Sequence, residues 1–223
     1  MRILTIIFLF LFISCGKKED ENIEKLDIDK EFKSTNVTNK FLKIEYSLKV
    51  NYLDSLAKKI IPNKKYQYWQ YVTYHQGSNI ETYVVLNQGG DSSLRKKINE
   101  KPRPSYNSGI FYGGHPNFRC NYIVTIDNGQ PYSLKTEEEF RDFLGTIDNL
   151  EEAILLAKTY GYILDTNIKG CAYRNLANGF ELHLMKYHEF PIRKESIEII
   201  ISREGFVKTK SLGIYCEGSN CRE

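Results

Sequence analysis

The chain reads as an α+β protein, mainly antiparallel β-sheet in hairpins and a C-terminal meander, with two consecutive helices packed on one face. Three observations predict this. Apolar residues alternate in short runs, as at Tyr122, Val124 and Ile126 and again at Ile197, Ile199 and Ile201. Asn128-Gly129, Asn178-Gly179 and Glu204-Gly205 separate such runs, where tight turns call for residues that accept positive φ. Between the hairpins, Thr136 to Gly161 carries capping residues and apolar stripes of helical period. At 223 residues with 41% hydrophobic and 13% aromatic content, the chain can bury a real core as one domain or two small ones. The 31 basic and 28 acidic residues are mixed along the chain, so nothing in the charge calls for a nucleic-acid partner.

The N-terminus has a different character. Arg2 precedes an apolar run, Ile3 to Ile13 broken only by Thr5, and Ser14 is a small residue directly before Cys15. As a helix the run would extend about 16 Å, roughly half of the hydrocarbon core of a bilayer, so it suits a cleaved leader rather than a span. Ser14-Cys15 at the end of such a leader resembles the lipobox of bacterial lipoproteins, although Phe12 and Ile13 depart from the usual residues there. The resemblance implies a leader over 1–14 and a lipid-modified Cys15, with the membrane as first partner. Several acyl chains anchor stably where one does so only marginally. Gly16, Lys17, Lys18, Glu19, Asp20 and Glu21 follow, a solvated string that suits a spacer. Lysine followed by acidic residues is similar to the signal that sends lipoproteins to the outer membrane and onto the cell surface.

The polar stretch from Cys15 to Lys40 is expected to be anchor and tether, and 41–223 a single globular domain, with possible lobes at 41–118 and 119–223. Within it, Ile44 to Val50 reads as a strand and Tyr52 to Ile61 as a short helix stopped by Pro62. Lys65 to Gln76 is rich in β-favouring aromatics, and as a strand it sends Tyr66, Tyr68, Val72 and Tyr74 to one side and Trp69, Tyr71 and His75 to the other. A Gly77-Ser78-Asn79 turn and a strand from Ile80 to Leu86 complete a hairpin. Asn87 to Arg119 is loop-like, interrupted by a short helix over Leu94 to Glu100 that Asp91 or Ser92 can cap. One continuous sheet is expected on both sides of this loop.

In the C-terminal half, Asn121 to Leu134 forms a hairpin about Asn128-Gly129. Thr136 and Glu139 make a capping box before the stripe Phe140, Phe143 and Leu144. Asp148 or Asn149 caps a second helix with Leu150, Ala153, Ile154 and Ala157 on one face, and Gly161 stops it. Strands over Phe180 to Tyr187, Glu195 to Arg203 and Phe206 to Tyr215 follow.

Four cysteines remain in a chain expected to be exported, and an even count there suggests disulfides. Of the three pairings that four cysteines allow, Cys216 with Cys221, which flank a small flexible loop able to bring them within bridging distance, and Cys120 with Cys171 are favoured, the alternative being that some stay as buried thiols. The familiar catalytic and metal motifs are missing, so neither a catalytic residue nor a cofactor nor a metal is assigned. His183 and His188 fall on opposite faces of a strand, and His115 near Cys120 is better explained by a bridged cysteine in an oxidising compartment. Glu151 and Glu152 sit where a helix dipole favours acids. Glu181 and His183 share a strand face that Glu198 can oppose across the ladder, an arrangement routine on exposed sheets.

The sequence therefore points to a lipid-anchored envelope protein and to a non-enzymatic binding or assembly module for a glycan, peptide or protein. Tyr68, Trp69 and Tyr71 would serve as a stacking platform. An inhibitor or immunity protein against an envelope toxin or hydrolase, and a hydrolase with an unfamiliar site, are the alternatives.

Overall fold

The computed structural model describes residues 40–46, 52–63, 65–76, 81–99 and 119–221. The leader, the tether, the turn at 77–79 and the loop over 100–118 lie outside the described residues. The elements are β1 (Leu42–Lys43), α1 (Tyr52–Ala57), β2 (Tyr68–Gln76), β3 (Glu81–Gly90), α2 (Arg95–Asn99), β4 (Arg119–Asp127), β5 (Gln130–Ser133), α3 (Glu137–Leu144), α4 (Leu150–Thr159), β6 (Cys171–Leu176), β7 (Gly179–Glu189), β8 (Ile192–Ser202) and β9 (Val207–Glu217). Every strand pairing is antiparallel, in keeping with the expected α+β class.

The strands form two sheets rather than the one continuous sheet expected. The first has the order β3-β2-β4-β5 and the second β1-β6-β7-β8-β9. The break falls after β5, where α3 and α4 enter the chain, and β4 pairs with β2 instead of with the C-terminal meander. A single core joins them: Trp69, Tyr71 and Ile123 from the first sheet, Leu182, Leu184, Ile199 and Ile201 from the second, and the apolar residues of α1, α3 and α4. Helices therefore cover the inner face of each sheet.

Local chemistry sets the element ends. Thr136 caps α3 by accepting from Glu139 N, and the Glu139 carboxylate accepts in return from Thr136 N. Asn149, not Asp148, caps α4, and Gly161 at φ 86° follows its last turn. Asn128 (φ 48°) and Gly129 (φ 76°) take the left-handed backbone that a two-residue hairpin matched to strand twist requires. Asp91 caps the turn at 92–94 that leads into α2.

The central strands of the first sheet, β2 and β4, are buried on both faces. Trp69 and Tyr71 point inward to the helices, while Tyr68, Val72 and Tyr74 join Tyr122, Val124 and Ile126 in a second core beneath Leu94 and Ile98 of the 91–99 segment. Opposite Trp69 stands Gly89, where a Cβ would lie 2.7 Å from the indole Nε1, so the close approach requires glycine. Phe143 of α3 meets Trp69 edge-on at 5.5 Å, Tyr66 at 5.2 Å and Phe140 at 6.3 Å between ring centroids.

Phe143 is fully buried at this aromatic junction. Phe143→Ala is expected to cost about 3–5 kcal/mol, the range for emptying a buried phenylalanine site, read as a lower urea midpoint with an unchanged slope.

Candidate functional site

The solvent side of the second sheet carries the most suggestive cluster. Strand parity sends Phe180, Leu182 and Leu184 of β7 to the helices and Glu181 and His183 to the other side. The register places Ala172, His183, Glu198 and Lys210 in one row across β6 to β9, and Arg174, Glu181, Ile200 and Lys208 in the next. Glu198 thus opposes His183 directly, as the strand pattern anticipated.

Within this cluster Glu181 is 4% exposed although it is a carboxylate. Arg174 grips one of its oxygens, with Nε donating to Oε2 at 2.6 Å and Nη2 at 2.5 Å from the same atom. The second oxygen, Oε1, lies 4.0 Å from His183 Nε2 and accepts no hydrogen bond among the described residues. Phe41, just ahead of β1, stacks on the His183 ring at 4.0 Å, and the Arg174 guanidinium lies 4.9 Å from the same phenyl ring. One donor atom each from Glu181, His183 and Glu198 falls within 4.8 Å of the others. Burial pushes the His183 pKa below its ordinary value and outweighs the upward pull of Glu181 and Glu198. The imidazole is therefore neutral at pH 7, with a lone pair available.

A second polar cluster is closed. Asp165 accepts from Lys194 Nζ at 3.0 Å, from Tyr215 OH at 2.6 Å and from Thr166 N at 2.8 Å. Burial pushes the Asp165 carboxyl up, but the bonds from Tyr215, Lys194 and Thr166 more than offset it, and its pKa lies below the usual range. Both carboxylate oxygens are engaged, so this cluster pins the 165–170 segment to β8 and β9. At the far end of the meander, His188 Nε2 stands 2.8 Å from Glu195 Oε2, while Ser211 Oγ donates to the other oxygen of Glu195. The order is Ser-Glu-His. A nucleophilic triad needs the histidine in the middle, so this group does not activate Ser211.

The aromatic platform is not formed. Tyr68, Trp69 and Tyr71 are 1%, 6% and 0% exposed and pack in the two cores. A strand with aromatics on both faces is one covered on both faces, and that period-two pattern was the available signal. Cys216 and Cys221 form a disulfide across the 219–221 turn, with Cα atoms 5.8 Å apart. The expected Cys120–Cys171 bridge is corrected: Cys171 carries a free, buried thiol whose Sγ donates to Ile44 O at 3.2 Å. Cys171 belongs to the second sheet and Cys120 to β4 in the first, with its side chain outside the described part. Cys15 and His115 also lie outside the described residues.

Glu152 is fully buried, and it holds structure together instead of facing a cleft. Its Oε1 accepts from Ile61 N and its Oε2 from Asp148 N, both at 2.7 Å, which ties the chain after α1 to the start of α4. Burial is the largest influence and lifts its pKa to about 7, against the lowering effect of those amide bonds. No family model matches the chain, and neither a curated protein nor a solved structure matches it significantly.

Because the folded Glu152 carboxyl titrates near pH 7 and the unfolded one in the ordinary carboxylate range, the native state holds the extra proton between them. Stability contributed by this group falls as pH rises through that window. Glu152→Gln is expected to flatten the decline, measured as urea midpoints of both proteins at pH 5, 6 and 7.

Proposed function

We propose that the protein is a lipid-anchored cell-envelope component that acts as a non-enzymatic binding or assembly module. The observation that carries the placement is the Ser14-Cys15 seam, with an apolar run too short to span a bilayer before it and the charged string from Gly16 to Glu21 after it. Acylation at Cys15 tethers a body whose described part begins at Lys40, and the intervening polar residues give it reach. No helix among the described residues is long and apolar enough to cross a membrane. The lysine-then-acid string after Cys15 favours the outer membrane and display on its outer leaflet.

The binding surface of this reading is the outer face of the second sheet. With Tyr68, Trp69 and Tyr71 enclosed, the rings cannot stack on a ligand, whereas Phe41, Arg174, His183, Glu198 and Lys210 share a face of mixed charge around a partly exposed aromatic centre. A broad polar face with an aromatic and an arginine suits a protein or peptide partner. Ser211, Glu195 and His188 stand in the wrong order for a nucleophilic site, which weighs toward binding over hydrolysis.

Metabolic labelling with a fatty-acid analogue is expected to mark the wild type and to leave Cys15→Ser unmarked. Protease added to intact cells is expected to remove the protein, and full protection argues for the periplasmic side. Crosslinking in whole cells followed by pull-down is expected to recover a partner that Lys210→Glu loses while remaining folded and acylated. Equal recovery by that variant places the binding surface elsewhere.

A further inference from the structure

We infer that Glu181, His183 and Glu198 form a binding site for a divalent transition metal of the zinc class, on the solvent side of the second sheet. The donor set is one imidazole and two carboxylates, with the three nearest donor atoms within 4.8 Å of one another. Around tetrahedral zinc, donors at about 2.0–2.2 Å from the metal stand about 3.3 Å apart. The closing motion is about 1.5 Å at most, within reach of the carboxylate torsions of Glu198 on its half-buried strand position.

The buried carboxylate supplies an observation of its own. Glu181 is taken out of water yet leaves Oε1 without a hydrogen bond among the described residues, directed toward His183 Nε2 at 4.0 Å. Arg174 thus holds Glu181 through Oε2 alone and leaves Oε1 without a protein donor among the described residues, whereas at Asp165 both oxygens are engaged. A cation between Oε1, His183 and Glu198 resolves the imbalance. No hydrogen bond from a described residue holds the half-buried Glu198 carboxylate, so it can turn toward the imidazole.

The surroundings resemble the outer shell that metal ligands need. Arg174 holds Oε2 of Glu181 through two nitrogens, which fixes where Oε1 points. Phe41 lies against the imidazole and restrains the ring plane. Magnesium and calcium prefer larger all-oxygen sets, so a set containing imidazole selects zinc over them. Three protein donors leave one position for water or for a donor from the partner. The inference thus deepens the reading of this face as the binding surface.

The test titrates Zn²⁺, with Mg²⁺ as control, into the purified full chain in detergent after stripping with a chelator, by calorimetry. One Zn²⁺ per chain and no measurable Mg²⁺ uptake are expected. Arg174→Gln is expected to weaken Zn²⁺ binding about 10- to 100-fold, as loss of an outer-shell partner does, and His183→Ala by more than that. His188→Ala, which removes the other described histidine beside a glutamate, is expected to leave binding unchanged. Should His183→Ala fail to fold by circular dichroism, Glu198→Gln decides by the same titration. No Zn²⁺ uptake by the wild type, or uptake unaltered by His183→Ala or its substitute, overturns the inference. The titration needs no partner and no membrane, so its failure is separate from a failed capture from cells.

Discussion

Helix α4 is buried around its whole circumference: Glu152 through Ala157 are six successive residues without meaningful exposure. A helix on the surface of one sheet needs only a stripe of apolar residues, and such a helix keeps a wet side. Ala153, Ile154, Leu155, Leu156 and Ala157 leave no such side, so something must cover the back of α4 as well as its front. The second sheet provides one cover through Leu182, Leu184 and Ile199, and α1 and α3, themselves against the first sheet, complete it. The placement of two sheets about a shared helical filling follows from that one requirement.

Burying the helix end brings a polar debt that Glu152 answers. The first amides of α4 and the chain after α1 meet in the core, where unpaired N–H groups are unfavourable. Asn149 accepts from Glu152 N, while the Glu152 carboxylate accepts from Asp148 N and Ile61 N. An acid at the third position of a helix ordinarily closes a capping box with its own cap residue, as Glu139 does in α3. Here the same residue type reaches one position further back and across to another element, so a local signal has become a tertiary one. The raised pKa follows from performing this task away from water.

Legibility in the sequence tracked how local each decision was. The capping box of Thr136 and Glu139, the Asn128-Gly129 turn and the run of Ile197, Ile199 and Ile201 were readable because each depends on residues a few positions apart. Strand β6 was missed: Ala172, Tyr173, Arg174 and Asn175 show no clear alternation, and it is set by pairing with β7. The facing of Tyr68, Val72 and Tyr74 against Trp69 and Tyr71 was readable, but Tyr66, ahead of the strand, packs with Trp69 on Phe143 instead, and the environment was misread because only the folded chain brings Leu94 and Ile98 over the outer side. Likewise the free thiol of Cys171 follows from the division into two sheets, which no cysteine count encodes.

The cluster on the second sheet lies between these cases. Glu181 and His183 share a face by parity alone, and Glu198 joins them once the β7–β8 register sets it opposite His183. What the sequence could not supply was contrast. Glu181 and Asp165 are both acids taken out of water on the same meander and its approach, each facing a basic residue. Asp165 has donors for both oxygens, and a group so satisfied gains nothing from a further ligand. Glu181 has donors for one. An oxygen without a protein donor, on a carboxylate that Arg174 already holds in place, is open to a ligand. That asymmetry, more than the residue types themselves, separates a structural acid from one positioned for a ligand.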